Sequence, residues 1–367
     1  MKILLIGPMP PLRGGISDFN KYLYESIKKN HNINYHTPSP LYPSFLFPGQ
    51  SQFKNNFKDI HKGKSFNPYN IFSLIKLIFR INNNDYDKLI TTHWNPIFSI
   101  IFIIINLLIS NKIEKIGIIH NVNSHENNYL DKFFFKLYLC SLNRVVTLSK
   151  FTQKQIKSIS KIETLPLFHP IPKLNQPLLN RNNELKKMKL DTGKTYLLHF
   201  GIIRPYKGLN RLIKVFNKVI KRKKDLQLLI VGEFYENIQY YKSMIENLNL
   251  KNNVTVVNEF VEEKDFSKWF SISDYIIQLN KSASQSGVTG LSIYFEKVIV
   301  SNALGGIKEI LNKKNSVITK NDEISIEKTL SNLEAVDKET LINQIKFLKS
   351  ELSWQIFCKK FINFIKN

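Results

Sequence analysis

The feature that most constrains this chain is an alternation, run through twice, of short apolar segments with longer helical patterns, which is the sequence signature of parallel sheets covered by helices. The first segment, Lys2–Ile6, ends at Gly7 and Pro8 and enters a Gly/Pro-rich turn before a helical pattern over 16–29. An irregular, aromatic stretch over 35–69 is followed by a predicted helix at 71–81, a strand at 88–92 and an apolar helix at 97–109. Further strands are predicted at 115–119 and 144–148, each with a helical segment after it. Residues 166–192 hold four prolines and no sustained period. A second series then places strands at 196–200, 226–231, 254–257, 275–279 and 298–301.

The reading is α/β: two Rossmann-like domains facing across a cleft, at 1–170 and 193–350, with a linker at 171–192 and a final helix at 351–367. A length of 367 residues suits two domains. Open α/β sheets bind ligands outside the carboxyl ends of their strands, so the cleft is the expected site. No fixed-period repeat or low-complexity arm is present.

Lys and Arg outnumber Asp and Glu by 53 to 29, a net charge of +24. Half of it, +12, falls in residues 1–170, so no basic tail explains the excess. Such a field attracts polyanions or anionic lipid, although an AT-rich genome would also enrich lysine. No nucleic-acid module or interleaved basic and aromatic patch accompanies it, and nucleic acid is not expected as a partner. Cys140 and Cys358, far apart, form neither a disulfide framework nor a thiolate cluster. The apolar start is too short for a signal peptide. The 13-residue run at 97–109 is short of the roughly 20 residues that span a bilayer and reads as a core helix. In 353–366 an apolar face stands opposite lysines; packing is expected over membrane binding.

Gly14 and Gly15, in PPLRGGIS, lie between a strand and a helix, either as a tight turn or as a loop facing an anion. The dinucleotide fingerprint is absent, so NAD is not expected. In HFGIIRPYKGLNRLI, Arg204 and Lys207 fall on a loop at the sheet's carboxyl edge, where a guanidinium fork and a compact ammonium suit a diphosphate. In NKSASQSGVTG, the amides near Ser286, Gly287 and Val288 open a helix and fit a phosphate, while a cap by Ser284 or Ser286 explains the same residues. Gly305 and Gly306 follow another strand. His120 ends a strand, with His125 and Glu126 beyond, and reads as a polar substrate contact because zinc would lack further ligands. Asp85-Tyr86-Asp87 has the D-x-D form but enters a strand at the end opposite the expected site, so it is read as structural.

Taken in order, GPMPPLRGG, TTHWNP, IIHNVNSHE, LFHP, FGIIRPYKGL, IVGEFYE, ASQSGV and LGGIKE resemble a bacterial polysaccharide and lipopolysaccharide branch of the retaining glycosyltransferases of family four, which have the GT-B fold. The resemblance covers nearly the whole chain. It implies transfer of a sugar from a nucleotide-sugar donor, UDP- or GDP-linked, without a metal or further cofactor, to a glycan or polyprenyl-linked acceptor. The expected location is cytoplasmic, peripheral on the inner face of the membrane.

It assigns His120, Arg204 and Lys207 to catalysis, and Gly14, Gly15, Glu233, Lys281, Gln285, Ser286, Gly287, Val288 and Glu309 to donor binding. The final helix is expected to cross back to the first domain. Three departures stand out. Ala283 and Leu291 occupy the places of a glutamate pair, Ile202 that of an arginine, and Asn280-Lys281 that of an aromatic-lysine pair. The missing glutamates leave two alternatives open: a non-catalytic nucleotide-sugar-binding subunit, or an epimerase of the same fold.

Overall fold

The computed structural model describes residues 1–43, 47, 49–54, 64–122 and 129–366. The chain divides into two compact units, Met1–Pro172 with Leu352–Asn367, and Lys173–Glu351. The first unit runs β1 (Lys2–Ile6), α1 (Gly15–Lys28), β2 (Asn32–Pro38), β3 (Ser65–Phe66), α2 (Ile71–Asn82) and β4 (Lys88–His93). It continues α3 (Pro96–Leu108), β5 (Glu114–Ile119), α4 (Tyr129–Cys140), β6 (Arg144–Thr147), α5 (Lys150–Lys157) and β7 (Glu163–Pro166). The second unit runs α6 (Arg181–Lys187), β8 (Thr195–Phe200), α7 (Leu209–Ile220), β9 (Leu226–Val231), α8 (Ile238–Asn247), β10 (Val254–Val257), α9 (Phe266–Ile272) and β11 (Tyr275–Gln278). After these come α10 (Gly287–Tyr294), β12 (Ile299–Ser301), β13 (Val317–Ile318), α11 (Glu323–Ser331) and α12 (Lys338–Glu351). The last element, α13 (Trp354–Lys366), belongs to the first unit.

Each unit holds one parallel sheet. The orders are β3-β2-β1-β4-β5-β6-β7 and β10-β9-β8-β11-β12-β13. Both place the first strand beside the fourth, the doubly wound order whose switch point opens a crevice at the carboxyl edge. In the first unit that point is the β1/β4 junction, and in the second the β8/β11 junction.

Because strand side chains alternate between faces, each sheet builds two cores. Leu4, Ile6, Leu89 and Val145 pack under α2, α3 and α4, whereas Ile3, Leu5, Ile90 and Ile116 pack under α1 and α13. Trp354, Phe357, Phe361 and Ile365 recur along one face of α13 and are buried there, at about 1.5 to 3 kcal/mol each, so the predicted return of the last helix is observed. The other faces of the second sheet are covered by α7, α8, α11 and α12, and by α6, α9 and α10.

Three expectations are corrected. The stretch read as irregular contains β2 and β3: NINYHTP pairs in parallel with β1, and its short alternation of Ile33 and Tyr35 with polar residues turns both towards the core under α1 and α13. Within 171–192, α6 is capped by Asn180 and seats Leu185 in the second unit's core; a seven-residue helix with one deeply buried Leu shows no readable period. The helix read as core, α3, buries Phe98, Ile101, Phe102 and Ile105 but leaves Ile97, Ile100, Leu107 and Leu108 exposed. Among the described residues no helix is long and apolar enough to cross a membrane. Asp87 sits at the amino edge, where its carboxylate accepts from the Lys2 amide at 2.6 Å, as the structural reading of D-x-D expected.

Candidate functional site

In the second unit the loops leaving β8, β9 and β11 meet. A bridge between Ile203 and Phe234 joins the first two, with the Ile203 amide donating to the Glu233 carbonyl at 2.9 Å and the Tyr235 amide to the Ile203 carbonyl at 3.0 Å. Gly232 presses on this junction: a Cβ there would lie 2.2 Å from the Gly201 carbonyl oxygen. Gly208, at φ 74°, brings the start of α7 against the end of β11, where a Cβ would lie 2.2 Å from the Leu279 carbonyl oxygen. Any side chain at either position would push the loops apart.

The cations are held on this frame. Pro205–Lys207 form a single 3₁₀ turn, and the Lys207 ammonium donates to the Phe200 carbonyl at 3.1 Å. The Arg204 guanidinium lies over the Tyr235 ring, 4.9 Å from its centroid, and among the described residues it forms no ion pair with a carboxylate. Burial, followed by the positive charge of Arg204, pulls Lys207 down to about 7. Two cations kept together at a strand's carboxyl end are poised for an anion that would relieve their repulsion.

The loop after β11 closes the other side. The Lys281 amide donates to the Tyr206 carbonyl at 2.6 Å, fastening this loop to the cation turn, and the Lys281 side chain is exposed. Ser286 caps α10, its hydroxyl accepting from the Thr289 amide, so the cap reading of this serine holds alongside the open helix start. Val288 and Lys207 both approach Gly201, with Val288 Cγ2 and Lys207 Nζ at 3.4 and 3.1 Å from the place of a Cβ on that glycine. Around Gly287 nothing stands within 4 Å of the same position. The Gln285 side-chain carbonyl is buried with no partner among the described residues. From β12, the Gly306 amide donates to the Ala283 carbonyl at 3.2 Å, and Glu309 ends the following 3₁₀ turn, exposed. Glu233, on the loop that follows β9, is 2% exposed.

The first unit's edge is different. Gly14, at φ 114°, and Gly15 open α1, and nothing among the described residues stands within 4 Å of a Cβ on either. His120 follows β5, its amide donating to the His93 carbonyl at 3.0 Å. Its ring is buried edge-on against Phe19 of α1, centroids 4.9 Å apart, and neither ring nitrogen has a hydrogen-bond partner among the described residues. Burial, then His169 and His93, hold it well below the ordinary imidazole range, so it is neutral at pH 7. Phe19 also contacts His169 and Trp354, tying the histidine to α13. His125 and Glu126 lie outside the described residues.

Sequence reasoning did not single out His93, held down to about 3, His169, held down to about 4, or His199, held down to about 3 by burial and then by Lys207. His93 ends β4 as His120 follows β5, and that shared position is the signal that could have found it. Tyr235 and Phe19 carry no such mark.

Two parallel α/β units of this order, with a final helix returned to the first, are the architecture of the GT-B glycosyltransferases. Residues 180–344, most of the second unit, match the family described as glycosyl transferases group 1. Trehalose synthase from Thermococcus litoralis is 23% identical over 199 residues, 52% of this chain and 48% of that protein; the chain thus spans about half the length of the curated relatives it matches. Sucrose-phosphate synthase from Thermosynechococcus elongatus superposes over 100% of this chain and 98% of its own with a TM-score of 0.76 at 12% identity. HepE from Anabaena, in complex with UDP-glucose, gives 0.70 at 12% identity with both chains covered in full.

Proposed function

We propose that the chain is a retaining glycosyltransferase that moves a sugar from a nucleotide-sugar donor to a glycan or polyprenyl-linked acceptor in surface polysaccharide synthesis. The observation that carries this is the convergence in the second unit of Arg204, Lys207 and the start of α10 around Gly201. Two cations and a row of helix amides suit a diphosphate, and their charge stabilises it as a leaving group. The UDP-glucose held by HepE in the same fold, and the family match over 180–344, support a nucleotide sugar as the ligand.

In the reaction the bond from the anomeric carbon to the diphosphate oxygen breaks, and a bond from the same face to an acceptor hydroxyl oxygen forms. The acceptor's proton passes to the departing phosphate oxygen. Arg204 and Lys207 take the role of a metal in balancing the new charge. The neutral His120 ring, with unsatisfied nitrogens, is assigned to a hydroxyl of the transferred sugar. The net charge of +24 supports a peripheral place on an anionic membrane, where lipid-linked acceptors reside.

The test is purified protein with UDP- and GDP-sugars and lipid extracts, read as nucleotide release and a glycosylated product. Turnover that persists in an Arg204→Ala, Lys207→Ala variant would overturn the donor site. A second reading, a nucleotide-sugar-binding subunit, is favoured by one observation: Ala283 and Leu291 stand where a glutamate pair is common, and Leu291 is buried in the core. Donor binding without turnover on any acceptor would select it, and conversion of donor with no acceptor would select an epimerase.

A further inference from the structure

We propose that the outer face formed by α2, α3 and α4 docks the protein on an anionic lipid bilayer. The inference extends the membrane part of the reading above and names its surface; it does not depend on turnover.

The face is apolar where a solvent face should be polar. Along α2 the buried residues are Leu74, Leu77, Ile78 and Ile81, yet the opposite side carries Ile71, Phe72, Ile75 and Phe79, with Phe72 78% and Phe79 67% exposed. These four recur at helical spacing and form a second apolar stripe. The neighbouring α3 has no charged residue and exposes Ile97, Ile100, Leu107 and Leu108. Next to it, α4 exposes Tyr129, Leu130, Phe133 and Leu137. Among the described residues, these twelve are more than half of the twenty-one large apolar side chains left exposed, so the exposure is concentrated rather than scattered.

Charge decides what covers the face. The three helices carry Lys76, Arg80, Lys132 and Lys136 against the single carboxylate of Asp131. Lys76 and Arg80 also line a shallow pocket of about 230 Å³ with Ser65, Phe66, Ser73 and Leu77, a setting for a lipid phosphate on the same helix as Phe72 and Phe79. A two-fold contact between copies would turn this cationic face on itself, which like-charge repulsion opposes. A bilayer offers hydrocarbon to the phenylalanines and anionic headgroups to the lysines. At 13 residues α3 is about 20 Å long, short of a span and suited to lying in the interface.

The experiment is sedimentation of the purified full chain with phosphatidylcholine vesicles, and with the same vesicles containing phosphatidylglycerol, in low and high salt. Binding is expected on the anionic vesicles only, weakening with salt. Lys76→Gln, Lys132→Gln, Lys136→Gln together should weaken it roughly a hundredfold, about fivefold for each cation. Phe72→Ser, Phe79→Ser, Phe133→Ser should remove binding that salt leaves behind, and because these side chains are exposed the variant should melt within a few degrees of the parent. Absence of binding to anionic vesicles, or equal binding by both variants, overturns the proposal. A dimer in sedimentation velocity that the phenylalanine variant abolishes would reassign the face to a second copy. No donor or acceptor is present, so failure of the transferase reading leaves these outcomes unchanged.

Discussion

The two units share a strand order and differ in what stands at its open edge. At the β8/β11 junction the second unit presents two mutually repelling cations and a helix start. Near the β1/β4 junction the first presents a neutral histidine buried against an aromatic ring. Their outer surfaces differ as well. In α7 of the second unit every Leu, Ile, Val and Phe is buried and the remainder is polar or charged, whereas α2 of the first is apolar on both sides. The topology places a site, and the side chains at the edge choose its chemistry. The second unit's edge gathers positive charge, whereas the first unit's edge holds a neutral imidazole, and the proposed donor and sugar contacts rest on that contrast.

That contrast can be broken at several strengths. The largest effect is expected from Arg204→Ala with Lys207→Ala, which should lower kcat/KM for transfer about 10⁴-fold, as two charge-stabilising groups are removed. Calorimetric titration with UDP should show the same variant losing affinity; unchanged affinity would place the anion elsewhere. Next, Phe361→Ala should cost about 3 to 5 kcal/mol in chemical denaturation, because it empties the contact of α13 with the first unit's core. A loss under 1 kcal/mol would mean that α13 is dispensable there. Third, His120→Ala should slow transfer about 100-fold while leaving the UDP Kd within about twofold. A matching loss in UDP affinity would dissolve the division between the units.

The smallest effect is a pH dependence. Lys207 is held down to about 7, so in the free protein it is largely neutral above that pH. A diphosphate binds its protonated form and raises its pKa, so binding takes up a proton. UDP affinity should therefore fall by up to about tenfold per unit as pH rises above about 7. In Arg204→Gln the like-charge cause is gone and the decline should begin at higher pH. An affinity flat from pH 6.5 to 8.5, with those limits set roughly half a unit or more around the lysine, would show that Lys207 does not meet the anion.

Much of this was legible in the chain itself. The strands β1, β4, β5, β8 and β9 are short apolar runs ended by turn residues or histidine, and each stands within a residue of its expected bounds. The loop holding Arg204 and Lys207 was readable because a strand, a turn and a helix follow one another in a few residues. By contrast β2 announces itself only through Ile33 and Tyr35 alternating with polar residues, a signal two residues long that the polar His36 and Thr37 then break. The neighbours that set the site's chemistry were equally hidden: Tyr235 reaches Arg204 from the next loop, and Trp354 reaches Phe19 from the far end of the chain.

The sequence by itself determined the two-series α/β plan, the position of each glycine-marked loop and the face that α13 would bury. Only the tertiary structure decided which loops meet at Gly201, that Lys207 lies half-buried beside Arg204, and that α2, α3 and α4 keep an apolar face in solvent. The physical reason is that periodicity records which residues of one element share a face, whereas burial depends on what another element brings to it. A phenylalanine such as Phe72 and one such as Phe98 carry the same local signal, and only the packing around them separates a surface from a core.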